Sequence, residues 1–96
     1  MSETAPLTIR LNPADNVVVA RAELMPNTDI PGEDVTTNAP IPRGHKIATR
    51  AIAKGETVVK YDQIIGFAAH DIKVGDHVHT DNCEFRMVER DYQFAT

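Results

Sequence analysis

The chain has 96 residues and a formal net charge of −4, with 42% apolar and 25% charged residues, one cysteine and no tryptophan. This suffices for one domain with a modest core of Val, Ile, Leu and Ala, and it excludes collagen-like, coiled-coil and disulfide-framework chains. With no Lys/Arg cluster and no apolar run near the roughly 18 residues of a membrane span, neither a nucleic-acid partner nor a membrane is expected.

Residues 1–6, Met-Ser-Glu-Thr-Ala-Pro, read as a disordered N-terminus. They lack the basic and apolar regions of a secretory signal, and Cys83 has no partner for an internal disulfide. Both features point to a cytoplasmic protein. Leu7-Thr8-Ile9-Arg10-Leu11 alternates as a half-buried strand does. After the turn cluster at 12–16, Val17-Val18-Val19-Ala20 reads as a second, more fully buried strand. Asp15-Asn16 reads as an Asx-turn opening that strand, or as a pair that orients a site.

Turn residues dominate the rest of the chain, and no window carries a convincing 12-residue helical pattern. The chain is therefore mainly β, built of short strands with at most one or two short helical turns, placed at 20–24 or 49–52. A degenerate repeat runs through it. Residues 39–47, 51–58 and 71–78 share the form apolar, turn, Gly, two residues, apolar. Residues 21–30 form a further, degenerate copy, the first of four in chain order, with Asn27 in the glycine position, where positive φ is tolerated.

Several segments carry chemistry-bearing side chains. His77 and His79 fall on one face of a strand, about 6–7 Å apart, and Asp81 joins them if the strand persists. That His/His/Asp set suits a divalent metal, Fe(II) or Mn(II) ahead of Zn. The alternative is a solvated strand edge with two incidental histidines. Gly44-His45-Lys46 follows a Pro-rich turn, and there His45 and Lys46 are candidate contacts for an acidic substrate; the alternative is an exposed polar pair on a turn. Lys60-Tyr61-Asp62-Gln63 reads as a hairpin tip, with Lys60 or Tyr61 available to a substrate or partner. His70 reads as a surface residue, and Cys83 as a small packed hydrophobe.

Asp15-Asn16-Val17, Gly44-His45-Lys46-Ile47-Ala48, the stretch 58–66 and the stretch 75–82 recur in an order and spacing that resembles the N-terminal SAF domain of the altronate/galactarate dehydratase family. The resemblance covers residues 9–82 and implies a β-clip fold, a small irregular β domain with a long hairpin. Two departures stand out, Asp62 where the family commonly has Gly and Asp81 where it usually has a third His. The domain division it suggests is 7–83 for the SAF domain, with 84–96 as a tail packing on the domain or a partner and ending at a natural terminus.

The resemblance further implies an accessory part of a sugar-acid hydro-lyase, inactive alone. It would contribute His77, His79 and Asp81 to a metal and His45, Lys46 and Lys60 to substrate, in a site completed by a large catalytic subunit. Two alternatives stand beside it. One is a non-catalytic module for carbohydrate binding or oligomerisation. The other is the small subunit of a two-subunit member of the sulfolactate sulfo-lyase type. Without its partner, a chain with short edge strands is expected to form homo-oligomers by edge pairing.

Overall fold

Val17-Val18-Val19-Ala20 forms the strand on which the molecule is organised. In the computed structural model, which describes residues 6–85, the chain is all strand and turn. Nine strands follow in order: β1 (Thr8–Ile9), β2 (Val17–Ala20), β3 (Asp29–Ile30), β4 (Val35–Thr36), β5 (Lys46–Ala48), β6 (Thr57–Lys60), β7 (Gln63–Ala68), β8 (His77–Val78) and β9 (Cys83–Phe85). They make three small antiparallel sheets, ordered β1-β2-β5-β8, β3-β4 and β6-β7-β9. No helix long and apolar enough to cross a membrane occurs among the described residues. The helical turns expected at 20–24 and 49–52 are not formed. Each segment bends and ends on an isolated bridge residue, Leu24 or Ile52.

Because β2 is apolar on both faces, it feeds two cores. Val17 packs with Ala48, Ile52, Val58, Ala68, Ile72, Val78 and Cys83. Val18 and Ala20 pack with Leu24, Ile30, Val35, Ile41 and Ile47. Strand β5 divides likewise, Ile47 to one cluster and Ala48 to the other. This is the period-two alternation of a strand with no solvent side.

The repeat is structural. Each copy runs bridge residue, tight turn, strand, with Leu24, Ile41, Ile52 and Ile72 as the bridge residues. Leu24 pairs with Ile41, and Ile52 with Ile72, so the copies associate in two pairs, one per core. Gly44, Gly55, Gly75 and Asn27 hold the positive-φ position of the turn. The hairpin tip lies where expected. Lys60 pairs with Gln63, and Tyr61 and Asp62 form the two-residue turn, both at positive φ.

The first strand is shorter than the alternating run at 7–11 and covers only Thr8–Ile9. Strand β9 runs from Cys83 to Phe85 and pairs with β7. The remaining tail, 86–96, and residues 1–5 lie outside the described residues.

Candidate metal centre

The tight turns explain how one histidine is released for a site. In the third copy, Glu56 bonds back to the Ala53 N–H at 2.7 Å. In the fourth, Asp76 does the same to the Lys73 N–H at 2.7 Å. In the second copy the corresponding residues are His45 and Pro42. Proline has no N–H to bond, so the turn asks nothing of the His45 side chain. The turn still closes through its backbone, the His45 N–H donating to the Pro42 carbonyl at 3.0 Å.

Pairing of β5 with β8 sets Ile47 opposite His77 and Lys46 opposite Val78. This brings His45 to His77, and the chain beyond Val78 folds back to add His79. The three imidazoles are each half-buried, and their candidate ligand atoms lie within 4.8 Å of one another. His45 Nδ1 and His77 Nε2 are 2.8 Å apart, a hydrogen bond that requires one of the two rings to carry the proton. Ring centres are separated by 4.5–5.3 Å with near-parallel planes.

Asn82, half-buried, fixes the outer pair. Its Oδ1 accepts from the His79 N–H at 3.0 Å, and its amide donates to the His77 carbonyl at 2.8 Å. These bonds, with the Asn82 and Cys83 N–H groups donating to the His79 carbonyl, turn the chain sharply at residues 79–82. Strand β8 therefore ends at Val78, and the alternation that would carry Asp81 to the face of His77 stops there. Asp81 sits exposed in the turn and is not one of the three converging groups, although its charge is close enough to favour protonated His77.

The pairing also sets Lys46 beside the histidines, and Lys60, on β6, is near enough for its charge to act on Lys46. The Lys46 ammonium lies 4.8 Å from the centre of the Phe85 ring, which meets His79 edge-on at 6.5 Å. Burial lowers the Lys46 pKa, the neighbouring charge of Lys60 lowers it further, and Cys83 acts in the opposite sense. Among the described residues, neither lysine forms an ion pair with a carboxylate; the ion pair seen there is Arg10–Glu33 at 2.8 Å. In a chain of net charge −4, this is a local positive rim.

Cys83 is buried at 1% exposure, and burial raises its thiol pKa, which leaves it an inert core residue. His70 is exposed.

Burial lowers the His77 pKa, and the neighbouring imidazoles His45 and His79 lower it further. The neutral imidazole is the form that binds metal. The same shift predicts a pH dependence. A base whose folded pKa lies below its ordinary value of about 6.5 stabilises the fold above that pH, and the stability is lost as the pH falls. In chelator, the urea midpoint is expected to be lower at pH 5 than at pH 7.5, with the difference reduced in His77→Gln. An unchanged difference in that variant would assign the effect to other groups.

Two nitrogens on one ion at about 2.1 Å each lie at most about 4.2 Å apart. The trio therefore fits an ion after a small side-chain adjustment. Because Asn82 orients two of the three groups, Asn82→Ala is expected to weaken metal binding by about 10–100-fold, measured by titration. Binding unchanged within about threefold would remove Asn82 from the site.

Asp15 and Asn16 have a different role from the local turn suggested by sequence. The Asx-turn belongs to Asn12, whose Oδ1 accepts from the Ala14 N–H at 2.9 Å. Asp15 is buried, and its two oxygens accept from the Tyr61 and Asp62 N–H groups, each at 2.7 Å. Asn16 donates to the Thr57 carbonyl at 3.0 Å and accepts from the Val59 N–H at 2.8 Å, where β6 shifts register. Together they dock the long hairpin, with Lys60 on it, against β2.

Sequence reasoning missed Asn82 and Phe85 and did not place His45 with the other histidines. The available signal for His45 was Pro42, which leaves its turn without a donor for side-chain capping.

Comparison with known proteins agrees with this architecture. Residues 6–86 match the family model described as the altronate/galactarate dehydratase SAF domain. The chain is 40% identical over 85 residues to altronate dehydratase of Escherichia coli K12, covering 86% of this chain and 17% of that protein. It is 34% identical over 81 residues to altronate dehydratase of Bacillus subtilis 168, covering 82% of this chain and 16% of that one. It is also 50% identical over 50 residues to the (2R)-sulfolactate sulfo-lyase subunit alpha of Paracoccus pantotrophus, covering 52% of this chain and 75% of that subunit. The chain thus spans about a sixth of the dehydratases it matches. On the family match and the shared sequence, it is a member of the altronate/galactarate dehydratase SAF domain family.

Proposed function

We propose that this chain supplies one wall of a lyase active site, acting on a sugar acid or a related hydroxy acid and completed by a larger catalytic body. The observation that carries the reading is the convergence of His45, His77 and His79 beside Lys46, which forms no ion pair with a carboxylate among the described residues. Two grooves of about 530 and 480 Å³ are lined by other residues, the first around Asp29 and Thr36 and the second around Asn16 and Arg50. Neither reaches the histidines.

The histidines would hold a divalent ion. An all-imidazole set accepts Zn as readily as Fe(II) and suits Mn(II) less than the carboxylate-containing set expected from sequence. When bound, such an ion supplies Lewis-acid stabilisation of the enediolate that develops as the proton α to a carboxylate is removed and the β-hydroxyl leaves, giving a 2-keto-3-deoxy acid. Lys46 and Lys60 serve the substrate carboxylate as fixed positive charges. Asn82 holds the His77 and His79 segment in place, and the Phe85 ring seats the Lys46 ammonium against the rim.

Likeness to a sulfo-lyase subunit favours a second reading, in which sulfite rather than hydroxyl leaves from the β-carbon. The assembly purified from its native cells decides between them when assayed with altronate and with sulfolactate, before and after chelation. Metal in the assembly, and loss of both metal and turnover in His79→Ala, is the expected result. Turnover and metal content unchanged in that variant would overturn the proposal and leave a non-catalytic binding or oligomerisation module.

A further inference from the structure

Tyr61 is costly to this chain and contributes little to its packing. Among the described residues, four non-glycine positions have positive φ: Asn27, Asp34, Tyr61 and Asp62. Asn and Asp tolerate that region because a short polar side chain can bond locally, whereas a bulky aromatic there is strained. Elsewhere the chain puts glycine in such places, at 32, 44, 55 and 75. Tyr61 is held by the buried carboxylate of Asp15, which spends both oxygens on the tip.

The tyrosine side chain is 65% exposed, with no side-chain hydrogen bond or ring contact among the described residues. Ile64, three residues on, is 38% exposed. A strained residue held this firmly, whose side chain is mostly exposed and has no hydrogen bond or ring contact among the described residues, points to a role outside the domain.

We propose that the Tyr61 tip, with Ile64 beside it, is the element by which this domain seats on the catalytic body of the lyase. The proposal rests on the reading that the chain works within such a body. Two observations select this occupant. The E. coli altronate dehydratase is matched over only 17% of its length, so most of that protein lies beyond the part resembling this chain. The tip is also linked to the candidate metal centre through Lys60. Lys60 precedes Tyr61, its charge acts on Lys46, and Lys46 leans on Phe85 beside His79. An anchor here would bring the second surface over the histidines. The complementary socket is apolar, with an acceptor for the tyrosine hydroxyl and a carboxylate near Lys60. Tyrosine suits such a task because it presents a large area with few rotatable bonds.

The test replaces Tyr61 by the photo-crosslinker p-benzoylphenylalanine in the protein expressed in its native cells. A second sample carries the crosslinker at Thr80, exposed beside the histidines. The expected Tyr61 adduct joins peptides related to the part of altronate dehydratase that this chain does not cover. An adduct with a second copy of this chain overturns the proposal. So does silence at Tyr61 with an adduct at Thr80, which would keep the lyase reading. Silence at both positions removes the proposal together with that reading. Tyr61→Gly separates anchoring from folding. The melting temperature of the chain is expected to hold or rise, since glycine relieves the positive φ, while the yield of intact assembly falls at least tenfold. An assembly yield within twofold of the parent would also overturn the proposal.

Discussion

His45→Ala is expected to lower metal affinity by more than about 100-fold, beyond the 10–100-fold typical of losing a group that only supports a ligand. The fold should survive. His45 is half-buried, and its turn closes through the His45 N–H and the Pro42 carbonyl, which alanine preserves. Asp81→Ala is the informative companion. The sequence alone groups Asp81 with His77 and His79, whereas the structure converges His45 on them and leaves Asp81 exposed in the turn. Loss of the Asp81 charge should change affinity by no more than about fivefold, an outer-sphere electrostatic effect in a solvated setting. Metal titration of both variants checks this. Equal losses, or a larger loss for Asp81→Ala, would replace the three-histidine set with one that includes the carboxylate.

Gly75→Ala is expected to be strongly damaging, because it joins a backbone clash to a positive φ. Gly75 has φ of +90°, and an added Cβ would run into the Thr36 carbonyl oxygen and press on the Asn38 amide. The neighbouring backbone cannot easily yield. Asn38 N–H donates to the Gly75 carbonyl at 2.9 Å, the Gly75 N–H donates to the Ala48 carbonyl at 2.8 Å, and the Asn38 side chain holds the Val74 carbonyl at 2.8 Å. Positive φ costs about 1–2 kcal/mol and the clash about 1–3 kcal/mol more. The melting temperature should fall by roughly 8–40 °C, at about 4–8 °C per kcal/mol in a domain of this size. Gly55 provides the control. Its φ is +87°, but nothing lies within 4 Å of its added Cβ, so Gly55→Ala should incur only the backbone term. Comparable melting temperatures for the two variants would show that the contact with Thr36 yields at little cost.

What the sequence discloses follows from how local each signal is. The turns, the repeat and the tip at 61–62 are set by residues close together in the chain, and they are readable there. The deep burial of β2 is likewise visible in its unbroken apolar run, whereas its division between two clusters is not. Features set by distant pairing are not. His45 reaches His77 because β5 pairs with β8, 32 residues on. Asp15 looks like the start of a local turn, yet its partners lie 46 and 47 residues later. Extending the strand to Asp81 fails for a nearer reason. The Asn82 side chain competes for the backbone groups of His77 and His79 and bends the chain. The family resemblance supplies the domain type, which spacing alone does not.

Strand β2 places Val17 in one apolar cluster and Val18 in the other. A slip of a single residue would exchange their contents and spoil both at once. Neither half can therefore melt while its neighbour keeps native packing. Unfolding should proceed in one concerted step, and neither pair of repeats should survive excision as an autonomous miniature.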